Sequence, residues 1–194
     1  MRWEGLAEVL SDICEREGWV FHAPDPNAVT AFEHSSGVSV PEPYRSFLLE
    51  VSSGMATDCM QLERFASDEA ARPSEPFPYD RAYGDSIITA LGEGRTLDEL
   101  AADPAFAVRQ VHGLPPGCLV VGELDGMLCV LALSGEEAGY VWRVGDFDLP
   151  ETRHAHEPQG DDGRMEFGRW FMEWLVENGL EAEVTKRWDG NVNS

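Results

Sequence analysis

Apolar residues recur at helical spacing over most of the chain and change to strand-like runs in one region. Leu6, Val9, Leu10 and Ile13 form the first stripe, which predicts an amphipathic helix over residues 2–17 with Gly18 as its stop. In "HAPDPNAVTAFEHSSG" Asp25 is placed to cap a second, short helix. Pro26 fits its first turn, Val29 and Phe32 line one face, and Gly37 ends it. The stretch "GVSVPEPYRSFLLEVSSGM" (37–55) follows. Its prolines at 41 and 43 place a helix start near Pro41, because proline is tolerated only at or before the first turn. Tyr44, Phe47, Leu48 and Val51 then fall at i, i+3, i+4 and i+7, a core-facing stripe, and Gly54 suits the residue after its end. Ser52 and Ser53 thereby become bystanders at a helix C-terminus, where the dipole repels anions, so the stretch is a poor phosphate cradle.

Residues 56–95 are the least regular, and "ARPSEPFPYDRAYGD" carries too much proline for regular structure, so part of it is expected to be surface loop. "RTLDELAADPAF" restarts a helix, with Thr96 as cap and Glu99 completing a capping box. From Pro115 the period changes. "CLVVGEL", "MLCVLAL" and "YVWRVGD" are β-rich apolar runs separated by "DG" and "SGEEAG", and turns that short make the three strands an antiparallel meander. After an acidic loop (151–163), Phe167, Trp170, Phe171, Trp174 and Leu175 restore the helical period, and Asn178-Gly179 closes it. Helices, a meander and a helix describe an α+β domain.

Composition adds a strong constraint. Thirty-six acids face fourteen bases, a net charge of −22, and only Lys186 is a lysine. Residues 1–55, 56–121 and 122–194 carry nets of −6, −6 and −10, so the acidity covers the whole body. Such a surface repels phosphate backbones and anionic membranes, which argues against nucleic-acid and membrane partners. It would accelerate encounter with a basic protein. Taken alone, the acidity is better read as a device for solubility. At 194 residues, one domain with a full core is expected. No apolar run approaches the length of a membrane span, and acids interrupt the N-terminal stretch where a signal peptide would be apolar. Cys14, Cys59, Cys118 and Cys129 lack CxxC spacing and sit in apolar surroundings, as expected for reduced thiols in a cytoplasmic protein.

Candidate chemistry is sparse. His154 and His156, with Glu157, Asp161 and Asp162 near, are metal-ligand types, but they sit in an acidic loop with no fixed third ligand, so a solvated loop is the better reading. There is no GxSxG, and "GEGR" (92–95) lacks the strand and the glycines of a dinucleotide loop. Asp125-Gly126 reads as a hairpin turn. No catalytic residue, metal or cofactor is therefore assigned.

The order of pieces resembles the SUKH superfamily, in the branch that includes the yeast Smi/Knr cell-wall regulators and many bacterial proteins. Phe32-Glu33 stands where members carry a phenylalanine-glutamate helix. Val40-Pro41-Glu42-Pro43-Tyr44-Arg45-Ser46-Phe47-Leu48 matches a Leu-Pro-x-x-Tyr-x-x-Phe-Leu helix, with Ser53-Gly54 for the usual Asn-Gly or Gly-Gly. "PFPYD" (76–80) is similar to a segment of some bacterial members. Gly135, Gly139, Val141 and Trp142 match the family's Gly-x-Val-Trp meander, and "FGRWFMEWL" has its counterpart. Valine before Pro41 and serine before Gly54 are departures. The resemblance implies one SUKH-like domain over 1–194: an N-terminal helix (1–20), a family-like core (25–178) and a C-terminal tail (179–194), with helices around a central, mostly antiparallel sheet. Phe32, Glu33, Pro41, Tyr44, Phe47, Leu48, Gly54, Gly135, Gly139 and Trp142 would be its structural positions.

It implies no catalytic residues. It implies binding: many bacterial members resemble immunity proteins that neutralise toxins, often nucleases, while others are regulatory or scaffold proteins. The expected partner is thus a basic toxin domain. The expected contacts are the acids flanking the meander, Glu123, Asp125, Glu136, Glu137, Asp146 and Asp148. A regulatory protein of the same fold is the alternative, and a metal-dependent hydrolase built on the two histidines is a third reading.

Overall fold

Side chains alternate across three neighbouring strands, and that alternation divides the core in two. The structure is a computed structural model and describes residues 3–57, 61–65, 70–107, 114–124, 127–144, 157–158 and 164–188. In β5 (Cys118–Leu124), β6 (Met127–Ala132) and β7 (Val141–Val144), Leu119, Val121, Cys129, Leu131 and Val141 enter one core. Cys118, Val130, Ala132, Trp142 and Val144 enter the other. A strand buried on both faces reads as a continuous apolar run, which is why these three are visible in the sequence. They pair antiparallel in order, as the meander reading requires.

Five shorter strands extend the sheet: β1 (Val20–His22), β2 (Gly54–Ala56), β3 (Gln61–Leu62), β4 (Ala70–Ala71) and β8 (Glu157–Pro158). The order is β1-β2-β3-β5-β6-β7-β8, with β4 also on β5, and every described pairing is antiparallel. Helices flank this α+β sheet on both faces. The first face is covered by α1 (Leu6–Glu17), α2 (Pro26–Ser36), α3 (Tyr44–Glu50), α7 (Phe167–Glu177) and α8 (Glu181–Arg187). The second is covered by α4 (Arg81–Gly92), α5 (Leu97–Ala102) and α6 (Pro104–Ala107).

The predicted caps form. Asp25 accepts from the Ala28 amide, Gly18 and Gly37 adopt left-handed conformations after α1 and α2, and Thr96 and Glu99 close a capping box on α5. All five aromatic and leucine positions of the α7 stripe are buried.

Four expectations are corrected. The third helix begins at Tyr44, not near Pro41, because a residue preceding proline is disfavoured in the helical region and Pro43 imposes this on Glu42. Gly54 is not a helix stop but the first residue of β2. It has φ +155, and a Cβ there would lie 2.6 Å from the Arg64 Cα. Residues 56–95 include irregular stretches, as expected, but the proline-rich segment 71–85 is not without regular structure, since α4 begins inside it. The same residues hold the end of β2, β3, β4 and α4, which Asp80 caps through the Tyr83 amide, while Phe77 and Tyr79 are buried against Trp142, at 5.6 and 5.1 Å between centroids. Residues 179–188 are not simply a tail. Leu180, Val184 and Trp188 are buried, and Trp188 stacks on Trp3.

Candidate interaction surface

Ser52 and Ser53 act structurally rather than as bystanders. The Ser52 hydroxyl bridges the His22 and Gly54 carbonyls (2.8 Å each), and that of Ser53 donates to the Ala23 carbonyl (2.8 Å). Both serines are buried, and they join the end of α3 to the β1 edge of the sheet. Their position fixes β1 against β2, with Val20 opposite Ala56 and His22 opposite Gly54.

The sheet register gives a row of side chains across the second face. Val20 lies beside Ala56, Ala56 beside Gln61, and the antiparallel pairing of Leu62 with Gly122 places Gln61 opposite Glu123. Glu123 pairs with Leu128, and Leu128 with Val144. Cover changes along this row. Val144 is buried and Leu128 packs on the second core, whereas Val20 is 50% exposed, Gln61 is exposed, and Ala56 and Glu123 are half-buried. The helical layer lies toward the β7–β8 end, where α4 contacts β8. Among the described residues, then, no helix covers the β1–β3 half of this face. Glu63, half-buried and held by the Gln61 amide at 2.9 Å, belongs to the same open half.

The predicted meander acids do not form one rim. Glu136 is exposed in the short 3-10 turn Gly135–Glu137 between β6 and β7, while Glu123 stands near the other end of β6. Six residues of strand separate those ends, about 20 Å. Asp125, Asp146 and Asp148 lie outside the described residues, as do His154, His156, Asp161 and Asp162.

Glu137 is corrected outright as a surface contact, because its side chain is 1% exposed. Its carboxylate accepts from the Trp142 indole (3.3 Å) and lies 2.7 Å from Arg164 Nη2. That oxygen is close enough for ion pairing yet is not aligned as a hydrogen-bond acceptor. Burial therefore outweighs the attraction of Arg164 and pushes the Glu137 carboxyl above its ordinary range. Arg164 also lies 4.6 Å from the Tyr140 ring centroid, so the pair links the meander to the approach to α7.

Elsewhere the arginines are used internally. Arg16 pairs with Glu17 and Glu183, Arg45 with Glu33, Arg72 with Glu75, Arg81 with Asp85, Arg95 with Asp103, Arg169 with Glu173, and Arg187 with Asp12 and Glu183. The Arg45 hydrogen bonds, followed by that from the Val40 amide, hold the Glu33 carboxyl below the usual range. Cys14, Cys118 and Cys129 are buried, and burial pushes the Cys14 and Cys118 thiols up to about 11 and about 12, far from reactive values. No described helix is long and apolar enough to cross a membrane.

The family model described as SMI1 / KNR4 family (SUKH-1) matches residues 23–176, the span from just after β1 to the last turn of α7. The chain belongs to the SMI1 / KNR4 family. The SUKH-1 motif positions now have physical roles. Phe32, Tyr44, Phe47 and Leu48 fill the first core, Trp142 centres the second, and Glu33 bonds both the Val40 amide and Arg45. The match supports a toxin-immunity or Smi1/Knr4-like role in general, exercised through protein–protein contact. Comparison with curated proteins and with solved structures gives no significant match.

Proposed function

We propose that this SUKH-1 chain is a non-enzymatic binding protein of the immunity type, which neutralises a basic toxin domain by occluding it. The observation that carries the proposal is the fate of its cations. Fourteen bases stand against thirty-six acids, and eight of the described arginines are already committed to carboxylates of the same chain. The exposed acids that remain, among them Glu4, Glu8, Glu15, Glu93, Glu136 and Glu177, set up a field that those arginines do little to offset. A toxin that acts on nucleic acid must present a basic face to its substrate, and this field would draw that face in. Charge would speed encounter, and apolar contacts would set residence time.

The test is co-expression of this chain with a basic toxin domain encoded beside its gene. Neutralisation is expected as restored growth together with a stoichiometric complex on gel filtration. The absence of such a domain, or a toxicity unchanged by this chain, would contradict the immunity role and favour a regulatory protein of the same fold.

A further inference from the structure

The immunity reading leaves open which part of an acidic molecule meets the partner. Acids are spread over every element, so charge alone selects no surface. The second face of the sheet does. Among the described residues its helical cover runs out along β5, where Cys118 and Val120 pack on the second core but Glu123 does not, and Val20, Ala56, Gln61, Glu63 and Glu123 are all exposed or half-buried. Val20 is one of two large apolar side chains among the described residues that are substantially exposed, and it stands on an edge strand of the sheet.

We propose that this uncovered half-face is the docking surface for a basic polypeptide, one presenting lysine or arginine beside an apolar side chain. The proposal rests on the binding role proposed above. Charge settles the occupant. A second copy of the chain would bring another net −22 against the same face. A lysine- or arginine-bearing segment would instead meet Glu63 and Glu123, two carboxylates against one cation, Arg64, that the described residues place at the margin. The Gln61 side chain already orients Glu63 without neutralising it, so little ordering is left for the partner to drive. Val20 and Ala56 provide the adjoining apolar floor, and a sheet is a rigid support for both.

The experiment follows backbone amide shifts of the full chain during titration with an alternating lysine–valine octapeptide. Saturable shifts are expected at residues 20–22, 54–56, 61–63 and 122–123. The Glu63→Lys/Glu123→Lys double variant should weaken binding at least tenfold. The Glu93→Lys/Glu177→Lys variant, which changes net charge by the same amount just after α4 and at the end of α7, should change it less than threefold. Equal loss in both variants, shifts centred on the helices, or no saturable binding would overturn the proposal. If the lysine pair fails to fold, Glu63→Gln/Glu123→Gln should still weaken binding at least threefold, and an unchanged affinity would count against the surface.

The growth assay separates this proposal from the broader role. If the unmodified chain and Glu63→Lys/Glu123→Lys neutralise the toxin equally well, the role stands and the surface falls. If neither neutralises it while the peptide still maps to the half-face, the surface stands and the role falls.

Discussion

Two opposing effects act on the Glu137 carboxyl, and burial is the larger. Its folded pKa is raised, so its contribution to stability is present below the unfolded value of about 4.3 and is lost as pH rises through the folded value. Glu137→Gln removes that titration while keeping an acceptor for the Trp142 indole. The expected outcome is that the melting temperature of the unmodified chain falls relative to Glu137→Gln as pH rises from below about 4.3 toward neutral, measured by thermal unfolding. A constant difference would show that Arg164 fully compensates for burial. Glu33 carries the opposite sign. Its pKa is lowered by Arg45, so its contribution is present above the ordinary carboxylate value and lost as pH falls through the folded value. Glu33→Gln should flatten the acid limb, not the neutral one. Gly54 has a steric role: with φ +155 and the Arg64 backbone 2.6 Å from any Cβ, Gly54→Ala should cost about 2 kcal/mol or more by denaturant unfolding. A cost near zero would mean that β2 and β3 can separate without penalty.

Whether an element could be read from the sequence followed its length and burial. The α7 stripe and the three central strands carry enough residues for their period to show, and the structure contains them. The strands β1 to β4 have two or three residues each, too few to display any alternation, and with them the open half-face was hidden. Proline hid α4 differently. Phe77 and Tyr79 alternate with prolines in an irregular stretch that enters the core through stacking on Trp142, not through secondary structure. Glu137 was misplaced because a turn acid is ordinarily solvated, and only the tertiary position of Arg164 and Trp142 shows that it is buried. The family match stops before α8, yet α8 is joined to α1: Arg16 makes two bonds to Glu183 (2.6 and 2.7 Å), and the Trp188 indole donates to the Glu4 carbonyl (3.0 Å). A chain ending at Asn178 loses the buried Leu180, Val184 and Trp188, at about 1.5–3 kcal/mol each. It should melt lower by about 10–20 °C. An unchanged melting temperature would make α8 dispensable to the core.

At the scale of the whole molecule, charge connects fold to function. The internal pairing of arginines stabilises little where the pairs are exposed, because solvent screens them. Its larger consequence is to leave the field of the remaining acids uncompensated. A field of this kind acts on encounter more than on residence, and it is screened over about 10 Å at 0.1 M salt. The most direct test is therefore the association rate constant with the proposed basic toxin domain, measured by stopped flow from about 50 to 500 mM NaCl. A fall of at least tenfold in the association rate, with the dissociation rate changing little, is the predicted result. An association rate independent of salt would contradict recognition of a basic partner by this acidic protein.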